Sequence, residues 1–263
     1  MPARLLMVAG KDPFDSPLYQ TSICRWRPER LTSLGRFSFV SATAGIVVVA
    51  NATDGVDRVG LVDGDRIALL PGALSPAGST PAVAANGDVA YVAAGTDGSR
   101  AFGVHRVGAS GGDELVYRSM SPLSPLAFLP GGRIVVAESP NKPGSIEPSG
   151  RTFLTVAGRG SRTRRIALPY SEVRGLAASA ATGSIAVSGP DPEESVIIEE
   201  STGRITRRIQ RGWQVDAYSP DGRFLLLHRG SSIGTLDLNV AHAQPRVLHE
   251  VAQGPVYSAA WTT

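Results

Sequence analysis

Hydrophobic positions along this chain fall in short runs, each broken by turn-forming residues. The clearest unit is Asp216-Ala217-Tyr218-Ser219-Pro220-Asp221-Gly222-Arg223-Phe224-Leu225-Leu226-Leu227-His228. A strand enters a Ser-Pro-Asp-Gly turn and leaves as an apolar strand. Proline presets the backbone for such a turn and glycine supplies the positive φ it needs. The same outline recurs around Phe39–Val49, Pro81–Val92, Leu126–Ala137 and Ala177–Val187. No stretch shows a sustained helical period or an alternating βαβ pattern.

The repeat sets the architecture. The turn glycines are Gly45, Gly87, Gly132, Gly183 and Gly222, spaced by 42, 45, 51 and 39 residues. Five residues before them stand Val40, Ala82, Ala127, Ala178 and Ala217. Small residues at one fixed offset suggest strands crowded around a common axis. Two further strand-like stretches follow each turn, for example 233–238 and 246–249 after Gly222. Four strands in roughly 40–50 residues is the arithmetic of a β-propeller blade.

The ends complete the count. Residues 4–9 read as a second strand, with 19–26 and 30–34 as the third and fourth. Residues 256–261 read as a first strand with nothing after it. Pairing these ends closes a shared blade and removes an open sheet edge. The expected fold is therefore all-β: a six-bladed β-propeller with four antiparallel strands per blade, one domain over 1–263. Blade 1 is shared by about 1–35 and 255–263, and the C-terminal strand closes it onto the N-terminal strands.

The Ser219-Pro220-Asp221-Gly222-Arg223 unit resembles the repeat of TolB-type, WD40-like propellers. That resemblance implies a propeller used for binding, without naming a ligand.

Composition narrows the classes. The chain is 42% hydrophobic and 19% charged, with 30 glycines and 19 prolines in 263 residues. That content excludes a disordered chain and a helix-rich one. No apolar run reaches the length of a membrane span. The apolar patch at 5–9 is too short for a secretion signal. Cys24 is the only cysteine, so no intrachain disulfide can form. Together these predict a cytoplasmic monomer, with Cys24 a buried structural thiol in a strand. The net charge is +3, with Lys11 and Lys142 the only lysines. The arginines are scattered and not interleaved with aromatics, which argues against nucleic acid as a partner.

Candidate chemistry lies where long polar connections are expected, at 11–16, 51–57, 95–100, 138–150, 189–194 and 228–232. Six residues after the turn glycines stand Asn51, Ala93, Glu138, Gly189 and His228, which repeat geometry places around the channel mouth. Asp216 is an acid where the other repeats carry Phe39, Pro81, Leu126 and Ala177. Asp216, Glu138 and His228 are thus the candidate acid–base residues. Asn51, Arg174, Trp213, Gln214 and Tyr257 are the candidate ligand-binding residues, with Trp213 and Trp26 as stacking surfaces. Asp216 could equally pair with Arg174 or bond neighbouring backbone amides. Gly108–Gly112 fits G-x-S-x-G by letter, but sits between two strands rather than at a strand-to-helix elbow. Asp63-Gly64-Asp65 reads as a hairpin turn. The four histidines have no zinc-site spacing, so neither metal nor cofactor is expected.

Two functions remain. One is a binding module presenting its long-loop face and channel mouth to a protein, peptide or small molecule. The other is a stand-alone small-molecule enzyme of hydrolase, lyase or cyclase type, with its site at the same mouth.

Overall fold

A computed structural model describes all residues except 1–3, 13–15, 32–36, 44–45, 54–55, 64–65, 77–79, 95–100, 109–110, 141–148, 159–161, 191–194 and 263. Among the described residues, the strands form six four-stranded antiparallel sheets. Sheet 1 joins β1 (Arg4–Ala9), β2 (Leu18–Ser22) and β3 (Glu29–Arg30) to the C-terminal β24 (Val256–Thr262). Sheet 2 holds β4 (Phe37–Thr43), β5 (Ile46–Thr53), β6 (Val56–Asp63) and β7 (Arg66–Pro76). Sheet 3 holds β8 (Ala82–Val83), β9 (Val89–Ala94), β10 (Phe102–Val107) and β11 (Asp113–Ser119). Sheet 4 holds β12 (Leu123–Phe128), β13 (Ile134–Glu138), β14 (Phe153–Ala157) and β15 (Arg164–Ala167). Sheet 5 holds β16 (Gly175–Ala178), β17 (Ser184–Ser188), β18 (Ser195–Glu199) and β19 (Ile205–Ile209). Sheet 6 holds β20 (Gln214–Tyr218), β21 (Phe224–Arg229), β22 (Ser232–Asp237) and β23 (Arg246–Glu250).

The first strands β24, β4, β8, β12, β16 and β20 lie side by side in a closed circle, each touching the next. The fold is a β-propeller of four-stranded blades. Its core lies between adjacent sheets. Leu225 and Leu227 pack towards Ile197 and Ile209 of sheet 5, whereas Leu226 packs towards Leu5 and Met7 of sheet 1. Both faces of an inner strand are covered, so these strands read as continuous apolar runs rather than alternating ones. Among the described residues, no helix is long and apolar enough to cross a membrane.

The ends meet in register. Arg4 stands opposite Thr262 and Leu5 opposite Trp261. The described turn glycines Gly87, Gly132, Gly183 and Gly222 all have positive φ, between 70° and 89°. Gly45 lies outside the described residues.

The third strand of sheet 1 stops at Ser22, so Cys24 sits in a bend and is exposed, not buried in a strand. The turn residues around 51–57 and 228–232 do not make long loops. β5 runs to Thr53 and β6 begins at Val56, while β21 ends at Arg229 and β22 begins at Ser232. The strands simply extend further; Gly230 and Ser231 alone join β21 to β22, and residues 54–55 lie outside the described residues. The connections at 95–100, 141–148 and 191–194 fall outside the described residues, as do Gly64 and Asp65.

Inner strands approach closely where side chains are small. A Cβ on Gly175 would stand 2.5 Å from the Val215 carbonyl oxygen on the neighbouring sheet. Backbone cannot yield as a flexible side chain can. Gly175→Ala should therefore cost about 1–3 kcal/mol and lower the thermal midpoint by several degrees. An unchanged melting curve would show that the two strands can separate freely.

Candidate functional site

Among the described residues, four of the six first strands carry a local irregularity at one level of the channel. In sheet 6, Val215 pairs with Leu227 and Ala217 with Leu226, leaving Asp216 as an extra residue. Sheet 2 has the same shift between Phe37 and Phe39, sheet 4 between Leu123 and Leu126, and sheet 1 beside Tyr257. A β-bulge of this kind re-aims a side chain and often lies beside a functional site. Ser38, Pro125, Asp216 and Tyr257, together with Thr80 and Arg174, line a cavity of about 190 Å³.

This cavity is the waist of a longer passage. It shares Arg174, His228 and Tyr257 with an open depression of about 390 Å³, which Gln214 and Arg229 also line. It shares Phe39, Leu176 and Asp216 with a cavity of about 550 Å³ on the glycine-turn side. Val40, Ala82, Ala127, Ala178 and Ala217 line that last cavity. Their small size leaves the axis open there.

Asp216 and His228 meet at the waist. Asp216 Oδ2 lies 2.9 Å from His228 Nδ1, and Asp216 Oδ1 accepts a hydrogen bond from the Ala259 amide at 3.1 Å. Their side chains are 3% and 12% exposed. Burial is the largest influence on the imidazole and pulls its pKa down. The charge of Asp216 and the hydrogen bond to it together outweigh burial, and His228 ends above its ordinary value. In the neutral ring, an Nδ1–H aimed at Asp216 leaves Nε2 as a base. In the charged ring, both nitrogens donate.

Arg174 lines the same cavity but pairs with Glu172 at 3.5 Å, not with Asp216, and both partners are half-exposed. Trp213 is 2% exposed, packs against Gly234, and carries the Arg229 guanidinium 4.8 Å over its ring. It is a packing residue between sheets, not a free stacking surface. Trp26 lies elsewhere, stacked on His249. Asn51 pairs in β5 with Phe37 and Arg58, and its side chain lies outside the described residues. Among the described residues, no three His, Cys, Asp or Glu side chains converge to hold a metal ion.

Glu138 does not join Asp216 and His228. It is 1% exposed between sheets 3 and 4. It accepts hydrogen bonds from Ser119 at 2.6 Å, Thr155 at 2.8 Å, Arg165 at 2.8 Å and Tyr117 at 3.2 Å. The hydrogen bond to Tyr117, and with it the charge of Glu138, raises the Arg165 pKa against a smaller burial effect. The reason for the misplacement is register. Val136, four residues after Gly132, packs towards sheet 3, the preceding sheet. Leu226, four residues after Gly222, packs towards sheet 1, the following one. A one-residue slip sends side chains to the opposite face, so equal offsets from the glycine put Glu138 and His228 on opposite sides of their sheets.

The cavity-lining residues Ser38, Thr80 and Pro125 were not anticipated from the sequence. The signal for them exists, since each stands seven residues before its turn glycine.

Two measurements follow. Because the folded pKa of His228 is raised, its pairing stabilises the fold fully below the unfolded imidazole value of about 6.5. That stability is lost as pH rises through the folded value. The melting-point gap between the wild type and His228→Asn should therefore be widest near pH 5–6 and shrink towards pH 9. A gap that widens with pH would contradict the pairing. Glu138→Ala strands the Ser119, Thr155 and Tyr117 hydroxyls. It should cost about 3 kcal/mol in denaturant unfolding; a cost near zero would mean water replaces the carboxylate.

No protein-family model matches the chain, and no curated protein matches it either. Solved structures do. A chain of the nidogen–laminin complex superposes with a TM-score of 0.71 at 10% identity, covering 99% of this chain and 98% of that one. TolB from Acinetobacter baumannii gives 0.71 at 15% identity, covering 99% of this chain and 66% of TolB. Kuenenia stuttgartiensis hydrazine synthase gives 0.63 at 14% identity, covering 91% of this chain and 81% of that one. At such identities the shared property is the fold alone: a β-propeller.

Proposed function

We propose that this chain is a binding module. In this reading it is a six-bladed β-propeller, one blade for each sheet, forming a single domain over 1–263. It takes a ligand at the channel mouth on the face opposite the glycine turns. The ligand is a protein, a peptide or a small molecule that presents a negatively charged group. The observation that carries the reading is the Asp216–His228 pair at the waist of the channel, with Arg174 and Tyr257 lining both the waist and the open depression above it. When protonated, His228 offers its outer Nε2–H beside the Arg174 guanidinium, and donors around one concavity suit an anionic group. The nidogen–laminin neighbour is a protein complex, which supports a protein or peptide ligand. A monomer in the cytoplasm fits the single cysteine, and neither nucleic acid nor a membrane has a part in this reading.

A specific observation also favours the second reading, a small-molecule hydrolase, lyase or cyclase. An imidazole oriented by a buried carboxylate is the arrangement of a general base. Its residues would be Asp216 and His228, without Glu138.

Thermal unfolding of the purified protein tests both. A ligand at a hundred times its Kd adds about 2.7 kcal/mol of stability. We expect a cell-extract fraction of low molecular mass, or a peptide fraction, to raise the midpoint of the wild type but not of Arg174→Ala. A shift retained in both Arg174→Ala and Asp216→Asn would overturn the channel-mouth site. Chemical turnover of the ligand, lost in His228→Asn, would replace binding by catalysis.

A further inference from the structure

A second concavity lies away from the channel, on sheet 1. It has a volume of about 660 Å³ and is lined by Arg4, Arg25, Arg27, Trp26 and Glu29, with Gln20, Thr21 and Ser22 beneath. Three guanidiniums and one carboxylate thus face one space. Among the described residues, no hydrogen bond or ion pair engages the guanidinium of Arg4, Arg25 or Arg27. Some arginines elsewhere are held by an acid: Arg133 by Glu200 through two bonds, Arg165 by Glu138, and Arg223 by Asp237. What sets the three of this concavity apart is that they line one space together.

The segment that carries them is pinned at two points. The Arg27 amide donates to Thr21 Oγ1 at 3.0 Å, closing the chain from Thr21 to Arg27. The Trp26 ring stacks on His249 of sheet 6, with centroids 4.2 Å apart and planes 27° apart. Arg25 and Arg27 therefore flank a residue anchored to the next sheet, while Arg4 is placed by the β1–β2 register, opposite Ser22. Positions held this way cost little further ordering when a ligand arrives. Three positive charges against the single carboxylate of Glu29 leave an excess that gains most from a multiply charged anion. A phosphoryl group places its charge on one centre and accepts the paired N–H donors of guanidinium.

We propose that this pocket binds a soluble small molecule bearing two or more phosphoryl charges. The site is independent of the channel mouth, since the two share no residue.

Pyrophosphate is the probe. Trp213 and Trp261 are 2% and 3% exposed, which leaves half-buried Trp26 as the tryptophan that reports on the pocket. Pyrophosphate should change the tryptophan fluorescence of the full chain saturably, with half-saturation below about 1 mM at fixed ionic strength. Trp26→Phe should remove the signal. The exposed double variant Arg25→Ala/Arg27→Ala should weaken binding at least tenfold by calorimetry, while Arg204→Ala, in the turn before β19, should leave it unchanged. An equal response to sodium chloride, an unsaturable response, or unaltered binding in the double variant would overturn the proposal. So would tighter binding of polyglutamate, or of vesicles containing phosphatidic acid, than of pyrophosphate.

Discussion

Six strand edges converge on one axis, and each carries backbone amides and carbonyls that no further strand can pair. Left dry and unpaired, such groups would each cost about 1–3 kcal/mol. Side chains of neighbouring sheets meet this demand. Ser258 of sheet 1 donates to the Val40 carbonyl and accepts from its amide in sheet 2. Thr80 accepts from the Leu126 amide of sheet 4, and Ser188 of sheet 5 from the Val215 amide of sheet 6. Asp216 of sheet 6 accepts from the Ala259 amide of sheet 1. The circle is held by short polar side chains at the same level as the bulges, while the apolar cores between sheets supply the bulk of the burial.

Asp216 belongs to both the architecture and the candidate site. One carboxylate oxygen serves the seam between sheets 6 and 1, and the other orients His228. A hydroxyl could serve the seam alone, as Ser188 does. Only an acid can serve it and also favour a charged imidazole. The same position therefore stands out in the sequence as an acid among apolar equivalents and in the structure as the buried partner of the channel histidine.

Much of the fold was legible because turn chemistry is local. A glycine with positive φ after a proline or asparagine leaves a mark that needs no partner to read, and the strand pattern followed from the spacing of those marks. The pairing of β24 with β1 followed from a strand left over at each end. Face was harder to read. Counting from the glycine assumes that each turn hands its strand over at the same phase, and sheet 6 differs from sheet 4 by one residue. Asp216 and His228 came from the repeat arithmetic on facing strands, whereas Glu138 came from the same arithmetic and went to the wrong side. Trp213 could not be assigned from sequence, since an indole buried between sheets and one at a pocket rim look alike until Gly234 and Arg229 are seen against it. The arginines of sheet 1 hid among scattered basic residues, because only the β1–β2 register brings Arg4 to Arg25 and Arg27.

The meeting of the two chain ends has a consequence for how the molecule is made. During synthesis β1 emerges before the other strands of the ring, and its partner β24 emerges after all of them. Until residues 256–262 are free, β1 offers an unpaired apolar edge, and the seams to Val40 and Asp216 both lack their sheet 1 partners. The nascent chain must therefore carry an open, adhesive ring until its twenty-fourth strand is made. Closure is a long-range, late event whose rate is governed by bringing the two ends together. The last strand thus acts as a latch, and cutting the chain just before it would leave five intact sheets beside a gap that another copy's final strand could fill.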